Sequence, residues 1–202
     1  MSGMSQKTFF IIPGFKEQAT DKNYAWLFSF LKTKNYKVVP VPVVWSYKTL
    51  SSNAAELEIF FRKYFEKNKS EDNYILGFSY GAILALLKAE EIKPKKLFLC
   101  SLSPHFLEDI KYISLDVKKY IGQRRLADMK NRSGEIIAKS LSVPAVVFYG
   151  EEEEKNYPAL KKRCEETVQL AKNAKLVVVK NSPHEINFPS YQQAIEEEIG
   201  RL

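Results

Sequence analysis

Ser79 stands between two glycines in Gly77-Phe78-Ser79-Tyr80-Gly81, and a chemical reading of this chain starts from it. A serine hydroxyl is a poor nucleophile at neutral pH, so it needs a neighbouring base and a third group that orients the base. The chain has two histidines, His105 and His184. It has one dense run of carboxylates, Glu151, Glu152, Glu153 and Glu154. Serine, histidine and carboxylate together attack carbonyl carbons when backbone N–H groups receive the oxyanion that forms. Tyr80, directly after the serine, is one candidate donor. Phe15, after the breaker pair Pro13-Gly14, is the other.

These groups act together only if the fold brings them to one place. A short apolar run, Tyr74–Leu76, enters the glycine–serine–glycine turn, and an Ala/Leu-rich stretch to Lys88 with strong helix propensity leaves it. Strand, sharp turn and helix is the setting that lifts a serine above a strand end, with flanking glycines allowing close packing. The alternative is a tight glycine turn in which Ser79 only caps a core helix. Apolar runs predict further strands at Thr8–Ile12, Lys37–Val44, Lys96–Ser101, Val143–Tyr149 and Leu176–Val179. Pro40 and Pro42 mark the second of these as short or near an edge.

Helical spacing links Tyr24, Leu27, Phe28 and Leu31, then Ala54, Leu57, Phe60, Phe61, Tyr64 and Phe65, the latter with Ser51, Ser52 or Asn53 as cap. It recurs at Leu160, Cys164, Val168 and Ala171, and at Tyr191, Ala194, Ile195 and Ile199. Strands alternating with helices predict an α/β protein. It is a three-layer α/β/α sandwich around a mainly parallel sheet of about six strands. In such a sheet the loops at the carboxyl ends share one edge. His184, in Asn181-Ser182-Pro183-His184-Glu185 past the last strand, therefore opens on the same side as Ser79 and is the candidate base. His105 begins a long excursion and is expected at a rim. The glutamate run follows Tyr149-Gly150 at the same edge, and at least three of its members are expected in solvent.

The excursion, about residues 104–141, breaks the alternation. Its sparse apolar residues, among them Phe106, Ile110, Ile113, Tyr120 and Met129, predict partly helical structure above the strand ends. It is a candidate lid, or else a static covering layer.

At 202 residues the chain suits one domain, residues 1–202, without internal repeat or linker. Met1–Lys7 is polar and expected to fray. No apolar run approaches the roughly 20 residues of a membrane span, and Phe9–Ile12 is too short for a signal-peptide core. Cys100 and Cys164 fall in apolar element faces, which suits buried thiols in a reducing cytoplasm. Cys and His never occur at metal-ligand spacing. The net charge of +7 raises the question of nucleic acid, but the basic clusters are interleaved with acids and lack an aromatic RNA-binding pattern. No nucleic-acid partner is expected.

The motifs Ile12-Pro13-Gly14-Phe15, Gly77-Phe78-Ser79-Tyr80-Gly81, Tyr149-Gly150-Glu151-Glu152-Glu153 and His184 resemble those of the compact α/β-hydrolases. The resemblance covers nearly the whole chain, from Phe9 to Ile199. In relatives the acid commonly stands three residues after the glycine that ends its strand, which implies Glu153, with Glu152 the next candidate. Most relatives carry Asp there, and many carry His where this chain has Pro13. The resemblance implies a serine hydrolase of the esterase kind, with Ser79, His184 and Glu153 catalytic and the N–H groups of Tyr80 and Phe15 forming the oxyanion hole. Its substrate is a small acyl compound, and no cofactor or metal is needed. Trp45, Phe106, Ile186 and Phe188, in or near loops on the same edge, are expected to line an apolar pocket. A thioesterase, a peptidase, or an idle binding protein of the same fold are the alternatives.

Overall fold

The computed structural model describes residues 7–68 and 72–202. The expected fraying at the start of the chain falls almost wholly outside them. A six-stranded sheet forms the middle layer. Its strands are β1 (Thr8–Ile12), β2 (Lys37–Pro40), β3 (Asn73–Phe78), β4 (Lys96–Cys100), β5 (Ala145–Gly150) and β6 (Ala174–Val179). Their order is β2-β1-β3-β4-β5-β6, and every neighbouring pair is parallel. The helices are α1 (Ala25–Thr33), α2 (Leu50–Lys67), α3 (Tyr80–Ile92), α4 (Leu115–Ile121), α5 (Gln123–Met129), α6 (Gly134–Ser140), α7 (Glu153–Asn156), α8 (Pro158–Leu170) and α9 (Pro189–Gly200).

The central strands are buried on both faces because each residue pair serves two cores. In β1, Phe10 and Ile12 join the core under α2, α3 and α8, while Phe9 and Ile11 join the one under α1 and α9. The same period-two division sends Leu97 and Leu99 one way and Phe98 and Cys100 the other. Continuous apolar strands are what such double burial requires.

Two local expectations are corrected. Strand β2 stops at Pro40 rather than Val44. It is the edge strand, and Pro42 has no N–H to continue the ladder. Helix α2 begins at Leu50, so Ser51, Ser52 and Asn53 lie inside it, and the cap is Thr49, whose side chain accepts from the Ser52 N–H at 3.3 Å. Among the described residues, no helix is long and apolar enough to cross a membrane.

The sheet also sets where a site can form. From β1 the chain steps outward to β2, then returns past β1 to β3 and continues the other way. The order reverses between β1 and β3, and in open parallel sheets the crevice outside such a reversal is where ligands bind. The loops leaving these two strands carry Phe15 and Ser79.

Candidate active site

Ser79 occupies the turn between β3 and α3 with φ 54° and ψ −115°. For a side chain other than glycine this is a strained conformation, costing on the order of 1–3 kcal/mol, so its surroundings must enforce it. Two features do so. The Ser79 N–H donates to the Cys100 carbonyl at 2.8 Å, tying the turn to the end of β4. The glycines let backbones meet: a Cβ on Gly77 would lie 2.4 Å from the Gly81 carbonyl oxygen, and one on Gly81 would lie 2.3 Å from that of Ile12. The start of α3 thus sits directly on the end of β1.

The Ser79 hydroxyl lies 3.1 Å from His184 Nε2, and His184 Nδ1 lies 2.5 Å from Glu153 Oε1. Glu153 is fully buried at the start of α7, and its second carboxylate oxygen accepts from the Gly150 N–H at 2.8 Å. The other three glutamates turn elsewhere. Glu151 accepts from the Asn181 N–H at 3.1 Å, Glu154 pairs with Lys161 at 2.7 Å, and Glu152 is exposed. The loop bearing His184 is pinned against the end of β5. The Glu152 N–H donates to the Ser182 carbonyl at 3.1 Å, and a Cβ on Gly150 would come within 2.2 Å of that same oxygen. Phe78 and Tyr157 flank the imidazole, with ring centroids 5.0 and 5.5 Å away.

Tyr80, the first residue of α3, has no carbonyl one turn back within the helix to receive its N–H. Phe15 follows Gly14 at the end of β1, in a loop held by several side chains. Both Tyr24 Oη (2.9 Å) and Glu17 Oε2 (3.0 Å) accept from the Gly14 N–H, and the Tyr24 hydroxyl donates to Glu17 at 2.5 Å. Trp45 Nε1 donates to the Glu17 carbonyl at 2.7 Å. Burial, then the adjacent Glu17 carboxylate, pushes the Tyr24 phenol far above its ordinary pKa, so it stays a hydroxyl donor.

These groups face a cavity of about 700 Å³, within the range of small-molecule sites. Ser79, His184, Phe15, Tyr80, Ser103 and His105 lie on its walls, and Tyr112, Ile113, Val117, Tyr120 and Ile121 reach it from the excursion. His105 lines the cavity half-buried, with its ring edge-on to Tyr80. Burial first, then the nearby Arg125 and Arg132 charges, lower its pKa to about 4, so it is neutral at physiological pH.

The expected pocket residues are corrected. Phe106 is fully buried in the core, beneath the Arg163 guanidinium. Ile186 is buried in the other core and Phe188 packs against it. Trp45 does not line the cavity; it stands behind Phe15 and Tyr80, at 5.5 and 5.3 Å between rings. Apolar residues next to strand ends served the core because the cavity lies toward the excursion. Three contributors carried no functional signal in the sequence. Ser103, 2.9 Å from Ser79 Oγ, was marked only by its place after β4. Glu17 and Tyr24, holding Gly14, carried no motif at all.

No protein-family model matches the sequence, and no curated protein is detectably similar to it in sequence. Solved structures do match in shape. Est1E from Butyrivibrio proteoclasticus superposes with a TM-score of 0.80 at 17% identity, over 98% of this chain and 88% of that one. The chain has the α/β-hydrolase fold. MenH from S. aureus matches it with a TM-score of 0.68 at 17% identity, over 98% of this chain and 93% of that one. The Pyrococcus furiosus esterase Pf2001 gives 0.72 at 17% identity, over 98% and 82%. The chain therefore spans most of each neighbour's length.

Proposed function

We propose that the protein is a serine hydrolase that cleaves an ester of a small acyl compound through an acyl-enzyme. The observation that carries this reading is the continuous row from Ser79 Oγ through the His184 imidazole to buried Glu153, at 3.1 and 2.5 Å. Glu153 holds a proton on Nδ1, leaving Nε2 bare to accept the serine proton. Ser79 then attacks the carbonyl carbon, and the N–H groups of Tyr80 and Phe15 receive the oxyanion. His184 returns the proton to the departing alcohol, and water repeats the sequence to free the acid. Every proton in this scheme moves through His184, and the scheme calls on no cofactor.

Substrate class follows from the walls. Aromatic and aliphatic side chains dominate the roof of the cavity, which suits an apolar or aromatic acyl group. The neighbour Est1E has been solved with ferulic acid, an aromatic acid, bound. The excursion over the site serves, on this reading, as its cap.

The deciding experiment is labelling with a fluorophosphonate probe, followed by turnover on a panel of acyl esters, thioesters and peptides. The wild type should be labelled and should prefer the esters. Ser79→Ala should lose both labelling and turnover while its Tm stays near that of the wild type. Equal labelling of the two proteins would overturn the reading, and preference for a thioester or peptide would reassign the reaction.

A further inference from the structure

Ser79 Oγ has a second polar neighbour besides His184: the Ser103 hydroxyl, 2.9 Å away. Ser103 is buried, lines the cavity, and follows the end of β4. Its placement is built into the backbone. The Ser79 N–H is bonded to Cys100, and Ser101, at φ 52°, donates its N–H to Phe148 at 2.8 Å. The Ser101 hydroxyl is locked against Tyr191 Oη, also at 2.8 Å.

The direction of the Ser103 bond follows from proton accounting. With the imidazole proton on Nδ1 facing Glu153, His184 Nε2 offers only a lone pair. The single Ser79 hydroxyl proton is therefore committed to His184. The contact between the two serines closes only if Ser103 is the donor.

We propose that Ser103 is a further catalytic residue, whose hydroxyl stabilises Ser79 Oγ as the leaving group when the acyl-enzyme is hydrolysed. The proposal rests on the assignment of Ser79 as nucleophile. In deacylation, water attacks the acyl carbon as its proton passes to His184 Nε2. The tetrahedral intermediate then collapses: the C–Oγ bond breaks, its electron pair moves onto Ser79 Oγ, and that oxygen takes the proton from His184. The acid departs carrying the oxygen of water.

The contribution of Ser103 differs between the two half-reactions. In the acyl-enzyme, Oγ is the alkoxy oxygen of an ester and accepts weakly, because its lone pair is delocalised into the carbonyl. In the collapse it gains charge and accepts strongly. A bond that strengthens only toward the transition state accelerates that step. In acylation the starting hydroxyl oxygen already accepts well, so the bond gains little. One hydrogen bond to an oxygen acquiring charge corresponds to roughly tenfold in rate.

The test uses 4-nitrophenyl butyrate, with nitrophenolate release followed by stopped flow and acyl-enzyme decay followed by intact-protein mass. Ser103→Ala should slow decay about tenfold and leave the burst rate within about threefold, so kcat and KM fall together and kcat/KM holds. Ser103→Thr, which keeps the donor, should restore decay. Equal losses in both half-reactions would assign Ser103 a structural role and overturn the proposal, as would decay equal to that of the wild type. A wild type that neither labels with fluorophosphonate nor forms an acyl-enzyme would instead remove the nucleophile assignment beneath it.

Discussion

The floor and the roof of the cavity are built differently. The floor consists of the loops after β1, β3, β5 and β6, where backbone meets backbone at several points and side chains such as Tyr24 and Glu17 brace the β1 loop. Gly81 lies on the Ile12 carbonyl, Gly150 on that of Ser182, and the Ser79 N–H is bonded to Cys100. The roof, between β4 and β5, is fastened by side chains. Arg163 of α8, fully buried, donates through Nε and Nη2 to buried Asp109 at 3.0 and 2.5 Å. Asp128 of α5 accepts from the Ser51 N–H at the start of α2, and Arg125 reaches the carbonyls of Trp45 and Lys48. Between these anchors, α4 leaves Leu115 75% and Tyr120 62% exposed. The difference has a functional meaning. On the proposed reading, the distances that the chemistry depends on are set by strand ends, whereas the surface facing the substrate sits on an element fastened there by side chains.

The sharpest way to break the floor is to remove its buried charge. Glu153→Gln keeps the shape but loses the charge that stabilises the imidazolium, so acylation should fall by about ten-thousandfold, as in the corresponding change in a serine protease. The same substitution at Glu151, Glu152 or Glu154 should do little. Acylation rates of the four variants check this, and a loss centred on Glu152 would move the acid by one residue.

Breaking the roof should act on stability instead. Arg163→Met leaves the Asp109 carboxylate buried without its partner, which typically costs about 3–5 kcal/mol. A large drop in Tm is expected, with the fluorophosphonate labelling rate at Ser79 kept well below the transition. A loss of labelling parallel to the loss of stability would mean that roof and floor are one unit.

The smallest effect is expected at the exposed face of the roof. Tyr120→Ala or Val117→Ala, both on the cavity wall, should raise KM for a long-chain ester by about threefold, the size of a partly buried apolar contact, and leave kcat for a short ester unchanged. A fall in kcat for both esters would show that α4 takes part in setting the geometry of the floor.

The contrast between floor and roof also separates what was legible in the residues from what was not. The strands could be read because double burial leaves a local mark, continuous apolar runs such as Phe9–Ile12 and Leu97–Cys100. The turn at Ser79 could be read because the close approach of Gly77 and Gly81 demands glycine whatever the rest of the chain does. Alternation of strand and helix then placed the loops bearing Phe15, Ser79, the glutamates and His184 on one edge. Roof residues follow no such period. Phe106 in the roof, and Ile186 and Phe188 after β6, have the same local character as wall residues, and only the direction in which the cavity opens sends them to the core.

By itself, the sequence determined the α/β layering, the parallel sheet and the position of the serine turn, because these rest on patterns spanning a few residues. Tertiary structure decided the rest. It brought His184 to a serine 105 positions away and turned Glu153, of four consecutive glutamates, inward. It also set Ser103 against Ser79, gave Gly14 its partners in Tyr24 and Glu17, and made Thr49 rather than Ser51–Asn53 the cap of α2. Each of these depends on which backbones meet at the carboxyl edge of the sheet or on where a helix makes its first turn. Side-chain type alone does not carry that information; the packing of distant segments does.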